Sequence, residues 1–275
     1  MSIPFILVAK AGGSDEAPEN TCAAVTAALA VALPPETRLA VEVDVRRSAD
    51  DALVVFHDAE LGRTTNGVGR VNEHPLHALR ELRAGPHGER IPVLEEVSEL
   101  LGEHELVVEA HDADLRGARA LVKALGRLGR SARDRVLVAS EHTLVVHAVR
   151  ELAPGVRTAA TARAVWCKVL LERAKLERWA PRGHPFIVPV AHRGLSVVTR
   201  RFARAAAAVG DEVWAYVVND ATEVRRLRNL GVTGCFTTRP AALAAALRGG
   251  SRDGPGTLVT GAADYLFKDS KRIYR

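Results

Sequence analysis

A single-domain (β/α)8 barrel is the fold the sequence predicts, on three observations. The chain has 275 residues, the usual size of such a barrel, and 47% of them are apolar, enough for a sizeable core. Short apolar, β-branched runs alternate with longer segments of helical period, the pattern of parallel strands joined by helical crossovers. Three of the runs carry an acidic residue or a histidine near or just past their ends, and strand ends form the rim where barrels carry their chemistry.

In chain order, strands are read at Ile3 to Val8, Leu39 to Val45, Leu53 to Phe56, Leu106 to Glu109, Val136 to Ala139, Val156 to Ala159, Phe186 to Val190, Val213 to Val218 and Gly234 to Thr237. Helices are read between them at Thr21 to Leu33, Leu115 to Leu128, Leu144 to Leu152, Arg163 to Trp179, Thr199 to Val209, Thr222 to Leu230 and Ala241 to Leu247. Nine strand candidates compete for eight places, so one run, with Gly234 to Thr237 and Val156 to Ala159 as the candidates, is expected to be a short accessory strand or no strand at all. No helix fits between Val45 and Leu53, so a short loop must join those two strands. The Gly-, Pro- and His-rich stretch that follows reads as a small cap beside the mouth, with residues 59–105 spanning the cap and the return to the barrel. Residues 1–249 are assigned to the barrel and 250–275, where the pattern decays, to a tail.

Composition narrows the function. The formal charge is +5, but the basic residues are scattered and aromatics make up 4%, so no nucleic-acid partner is expected. Cys22, Cys167 and Cys235 lie far apart with no CxxC pair, which points to a reducing, cytoplasmic compartment. The opening run Ile3 to Ala9 lacks a basic flank and is too short for a membrane span, so no integral membrane segment is expected.

Glu42 and Asp44 flank Val43 near a strand end, where period-two geometry points both to one face with Cα atoms roughly 7 Å apart. Hard oxygen ligands without a Cys or His cluster favour Mg²⁺ or Ca²⁺ over Zn²⁺. An acidic pair alone also fits an exposed strand face. The next strands, however, run into His57-Asp58 and into Glu109, so three strand ends deliver polar groups to one rim.

Pro18-Glu19-Asn20-Thr21, Glu42-Val43-Asp44, His57-Asp58, Arg63-Thr64-Thr65-Asn66-Gly67 and Ile91-Pro92-Val93-Leu94-Glu95-Glu96 occur in an order that resembles the glycerophosphodiester phosphodiesterase family. Ser140, Tyr216-Val217-Val218-Asn219 and Gly234-Cys235-Phe236-Thr237-Thr238-Arg239-Pro240 extend the likeness to about residue 248. The resemblance implies a TIM barrel and metal-dependent hydrolysis of glycerophosphodiesters, or a related small phosphodiester, to a phosphomonoester and an alcohol. It implies metal ligands at Glu42, Asp44 and Glu109 and a catalytic histidine at His57.

Where the family carries His-Arg-Gly after the first strand, this chain has Lys10-Ala11-Gly12; where the family has Glu-x-Lys, it has Glu109-Ala110-His111. The exchange restores two histidines and one lysine at the rim, so His57 and His111 are expected to share the proton transfers while Lys10 binds phosphate as a point charge. His192-Arg193-Gly194 copies the missing motif at another strand end, which makes His192 and Arg193 candidate phosphate-binding residues. Glu141, after Ser140, and Tyr216 are expected to line the part of the pocket that takes the glycerol or head group. The runner-up is a catalytically silent barrel that binds metal and a phosphoester ligand. Asn20 or Thr21 is expected to serve as a helix N-cap.

Overall fold

The computed structural model describes residues 4–173, 183–192 and 194–249. Arg193, the tail 250–275 and the far end of the helix read to Trp179 lie outside the described residues. The chain runs β1 (Phe5–Ala9), α1 (Cys22–Leu29), β2 (Thr37–Arg47), β3 (Leu53–Val55), α2 (Leu76–Glu81), α3 (Leu94–Leu101), β4 (Glu105–Ala110), α4 (Leu115–Arg127) and α5 (Arg130–Asp134). It continues with β5 (Val136–Ala139), α6 (Thr143–Leu152), β6 (Arg157–Thr158), α7 (Ala162–Arg173), β7 (Phe186–Pro189), β8 (Ala191–His192), β9 (Leu195–Ser196), α8 (Arg200–Ala207), β10 (Val213–Tyr216), α9 (Ala221–Leu230), β11 (Gly234–Thr237) and α10 (Pro240–Gly249).

Eight strands pair in the order β6-β5-β4-β2-β1-β11-β10-β7, all in parallel. Ala160 N–H donates to Pro185 O at 2.9 Å across the β6–β7 seam, and the sheet with its surrounding helices is a (β/α)8 barrel. The expected accessory strand was misplaced. Both Val156 to Ala159 and Gly234 to Thr237 contribute barrel strands, whereas β3 lies off the path and pairs antiparallel with β2. The short loop before Leu53 explains this: a connection without a crossover helix returns the chain antiparallel.

Alternation along the strands sorts the core. Val41, Val43 and Val45 of β2 and Leu106 and Val108 of β4 pack outward against helical Val25, Leu94, Val97 and Leu121. Ile6, Val8, Ala40, Val107, Leu137, Ala139, Trp214 and Phe236 instead form the cluster on the other face, inside the barrel. Each fully buried large side chain stabilises the fold by about 1.5–3 kcal/mol. Continuing the inward series by one pleat from Val8, Ala40, Val107 and Trp214 reaches Lys10, Glu42, Glu109 and Tyr216. The strands that build the apolar core therefore also set a charged layer above it.

Between β3 and α3, residues Phe56, Leu61, Val71, Leu79 and Ile91 form a separate buried cluster with Val54. It holds the segment bearing Arg63 beside the mouth. Among the described residues no helix is long and apolar enough to cross a membrane.

Candidate active site

Glu42, Asp44 and Glu109 each offer an oxygen within 4.8 Å of the others', and all three residues are buried. The register places Asp44 directly beside Glu109, so the convergence follows from strand pairing and parity. Each carboxylate is held differently. Glu42 Oε2 accepts from Ala11 N–H at 2.6 Å, in the tight turn that follows β1. That turn presses close to α1: Gly12 has φ 79°, and a Cβ there would lie 2.8 Å from Ala24 Cβ. Asp44 Oδ2 accepts from Asn20 Nδ2 at 2.8 Å, and Asn20 Oδ1 accepts from Asp44 N–H at 3.0 Å. Asp44 Oδ1 meets His111 Nε2 at 2.7 Å.

Lys10 turns into this cluster rather than toward the open mouth. Its Nζ lies 3.5 Å from Glu42 Oε1 and 3.9 Å from Glu109 Oε2. Burial alone would lower its pKa, but the charges of Glu42, Asp44 and Glu109 outweigh burial and hold it above its ordinary value. Burial, then the charge of Asp44, pushes Glu42 up to about 8 against the pull of Lys10. Glu109 is pushed up to about 7, chiefly by burial. Burial favours protonation of Asp44 too, but Lys10 and the His111 hydrogen bond override it and hold that carboxyl below the usual range. Three buried carboxylates thus divide into one held ionised by its partners and two that favour a proton or a cation.

His57 and His111 face one another with ring centroids 4.7 Å apart. Arg46 ties their backbones together: Nε donates to His57 O at 2.6 Å and Nη1 to His111 O at 3.4 Å. His57 Nδ1 lies 2.6 Å from Asp58 Oδ1, and Asp58 in turn accepts from Arg63, whose other nitrogens bind Glu19 at 2.6 and 2.9 Å. Although β3 runs antiparallel, its end still carries His57 to the rim, because Phe56 N–H donates to Asp44 O at 2.9 Å.

Beside Lys10 and Glu109 opens a largely apolar chamber lined by Val107, Ala139, Ala159, Val165, Trp166, Ile187 and Phe236, with Glu141 and Tyr216 among its polar members. Burial raises the Tyr216 phenol well above its usual value. Ser140 borders the chamber, but its hydroxyl is engaged, donating to Ala110 O at 2.7 Å. His192 lies in the β8–β9 hairpin, past the end of β7, with its ring edge-on to Trp166 at 5.5 Å. The structure therefore gathers Lys10, Glu42, Asp44, His57, Glu109 and His111 at one point, sets Glu141 and Tyr216 along the chamber, and places His192 against Trp166, outside the residues that line the chamber. Thr21 is the N-cap of α1, accepting from Ala24 N–H at 3.2 Å. That frees Asn20 to hold Asp44, a role that sequence reasoning missed; its adjacency to the cap was the available signal.

Comparison with known proteins gives one family. Residues 11–242 match the model of the glycerophosphoryl diester phosphodiesterase family. A glycerophosphodiester phosphodiesterase of Caldanaerobacter subterraneus subsp. tengcongensis is 27% identical over 269 residues, covering 89% of this chain and 98% of that protein. YhdW of Bacillus subtilis is 30% identical over 245 residues, 85% of this chain and 94% of its own. Among solved structures, the glycerophosphoryl diester phosphodiesterase domain of a Mycobacterium tuberculosis protein superposes with a TM-score of 0.77 at 18% identity, covering 89% of this chain and 99% of that one. The glycerophosphodiester phosphodiesterase of Agrobacterium tumefaciens gives 0.66 at 26% identity, over 88% and 99%.

Proposed function

Because the chain belongs to the glycerophosphoryl diester phosphodiesterase family, we propose that it hydrolyses a glycerophosphodiester, or a related small phosphodiester, to a phosphomonoester and an alcohol. The observation that carries this reading is the facing pair His57 and His111, 4.7 Å apart, with His111 bonded to one of three convergent carboxylates. Glu42, Asp44 and Glu109 would hold a divalent cation. Their all-oxygen donor set, buried and convergent within 4.8 Å, fits a hard ion and supports Mg²⁺ or Ca²⁺ over Zn²⁺. Such an ion, when bound, supplies charge neutralisation to the phosphate oxygens.

The chain's own groups move the protons. Asp58 takes the His57 Nδ1–H and leaves Nε2 to exchange a proton with substrate; Asp44 orients His111 through its Nε2. One ring removes a proton from the attacking water as its oxygen bonds phosphorus. The other delivers a proton to the alkoxide as the ester P–O bond breaks. Glu141 and Tyr216 line the chamber that receives the arm of the ester leading to glycerol or a head group. The three free cysteines support placement in the reducing cytoplasm.

A second reading, a catalytically silent barrel that binds a phosphoester, is favoured by one feature: Ala11 stands where the family motif has its arginine, and alanine offers nothing to a phosphate. Turnover of a panel of glycerophosphodiesters, with Mg²⁺ or Ca²⁺ and with chelator, separates the two. Metal-dependent turnover that is lost in His57→Ala supports the enzyme. A panel bound but unconverted under every condition supports the silent barrel.

A further inference from the structure

Lys10 reaches the carboxylate layer by strand parity, which does not by itself explain the contacts it makes there. It follows the inward-facing series Ile6 and Val8 onto the carboxylate layer, and it stays there: its side chain keeps only 18% exposure, with Nζ 3.5 Å from Glu42 Oε1 and 3.9 Å from Glu109 Oε2. The third carboxylate, Asp44, is served by another set of partners, Asn20 at 2.8 Å and His111 at 2.7 Å. Glu42 also accepts from the Ala11 N–H in the same turn that carries Lys10. Each carboxylate of the cluster therefore has a positive or donor partner from the chain itself. The ammonium meets the two carboxylates that lack the Asn20 and His111 contacts, the two that most need a countercharge.

We propose that Lys10 is a built-in cation of the carboxylate cluster, competing with a divalent metal for Glu42 and Glu109, so that the rim keeps its geometry without metal and binds metal weakly. This rests on the reading of Glu42, Asp44 and Glu109 as a cation site. An ammonium at this distance cannot share both oxygens with a divalent ion without strong repulsion in a buried setting, so metal entry requires Lys10 to leave. Coupling between the two cations follows from geometry. Removing the ammonium charge leaves three carboxylates facing one another, which raises metal affinity and makes the fold depend on metal.

The test is titration calorimetry with MgCl₂ and CaCl₂, together with thermal unfolding in chelator and in metal, on the full chain and its variants. Lys10→Met keeps the length of the side chain and removes its charge; Lys10→His, the residue the family carries there, guards against a Lys10→Met protein that folds poorly. The expected result is a wild-type melting temperature that changes little between chelator and millimolar metal. Both variants bind either ion at least about tenfold more tightly and regain with metal the stability they lose in chelator. Equal affinity of the wild type and both variants would overturn the competition while leaving the metal site standing. Absence of binding in all three proteins would overturn the metal site itself and the competition with it. Both readouts are independent of turnover.

Discussion

Removing Asn20 tests how the carboxylate layer is held. Asn20 is 4% exposed, sits at φ 58°, and makes two hydrogen bonds to Asp44, one to its carboxylate at 2.8 Å and one from its backbone N–H at 3.0 Å. Asn20→Ala deletes a hydrogen bond to a charged acceptor, about 1.5–3 kcal/mol, and orphans a buried backbone N–H, about 1–3 kcal/mol. Alanine is also poorer than asparagine in left-handed backbone, which adds roughly 1 kcal/mol. The expected loss is about 3.5–7 kcal/mol, which in a chain of this size lowers the melting temperature by on the order of 10 °C. Asn20→Gly, which keeps the backbone conformation open, should recover only the last part of that loss. Urea unfolding at a constant m-value is the assay. A change below about 0.5 kcal/mol, within the range of an ordinary surface substitution, would refute the argument that Asn20 braces Asp44.

Asp58→Asn keeps the shape of the His57 partner but lets its amide donate to Nδ1, which moves the ring proton to Nε2; kcat should fall on the order of 10²–10⁴-fold with little change in melting temperature, and unaltered kcat would contradict the assigned orientation. In chelator, stability should depend on pH through Glu42 and Glu109. Burial, the largest cause for both, raises them from 4.5 to about 8 and about 7. The folded state then holds protons that the unfolded chain has released, so their contribution is fully present below about 4.5 and is lost as pH rises through about 7 to 8. Stability rising across that interval would contradict it. Native-state thiol titration at pH 8 should label exposed Cys167 first, while Cys235, buried with its thiol pushed up to about 12, reacts only on unfolding; rapid labelling of Cys235 would count against the packing of β11.

Much of the barrel was legible because apolar runs and their spacing are local signals. Strand direction is not. The run at Leu53 looks like its neighbours, and only the missing crossover before it marks β3 as antiparallel. The charged layer was legible as parity: Glu42 with Asp44, and Glu109 with His111, each two residues apart on one strand or its extension. Lys10 obeys the same parity with Val8, yet its contacts at Glu42 and Glu109 depend on how β1 and β4 flank β2, which is a matter of strand order rather than spacing. The partnership of Asn20 with Asp44 spans 24 residues and needs a positive φ, neither of which is written in local sequence. The engagement of the Ser140 hydroxyl by Ala110 O is likewise a tertiary fact.

The most direct measurement is ³¹P NMR of a glycerophosphodiester incubated with the protein and Mg²⁺ or Ca²⁺, beside His57→Ala, His111→Ala and Glu42→Gln. The account predicts conversion of the diester resonance into that of a phosphomonoester by the wild type, suppression by each histidine substitution, and loss on chelation. Conversion that persists undiminished in both His57→Ala and His111→Ala would contradict it.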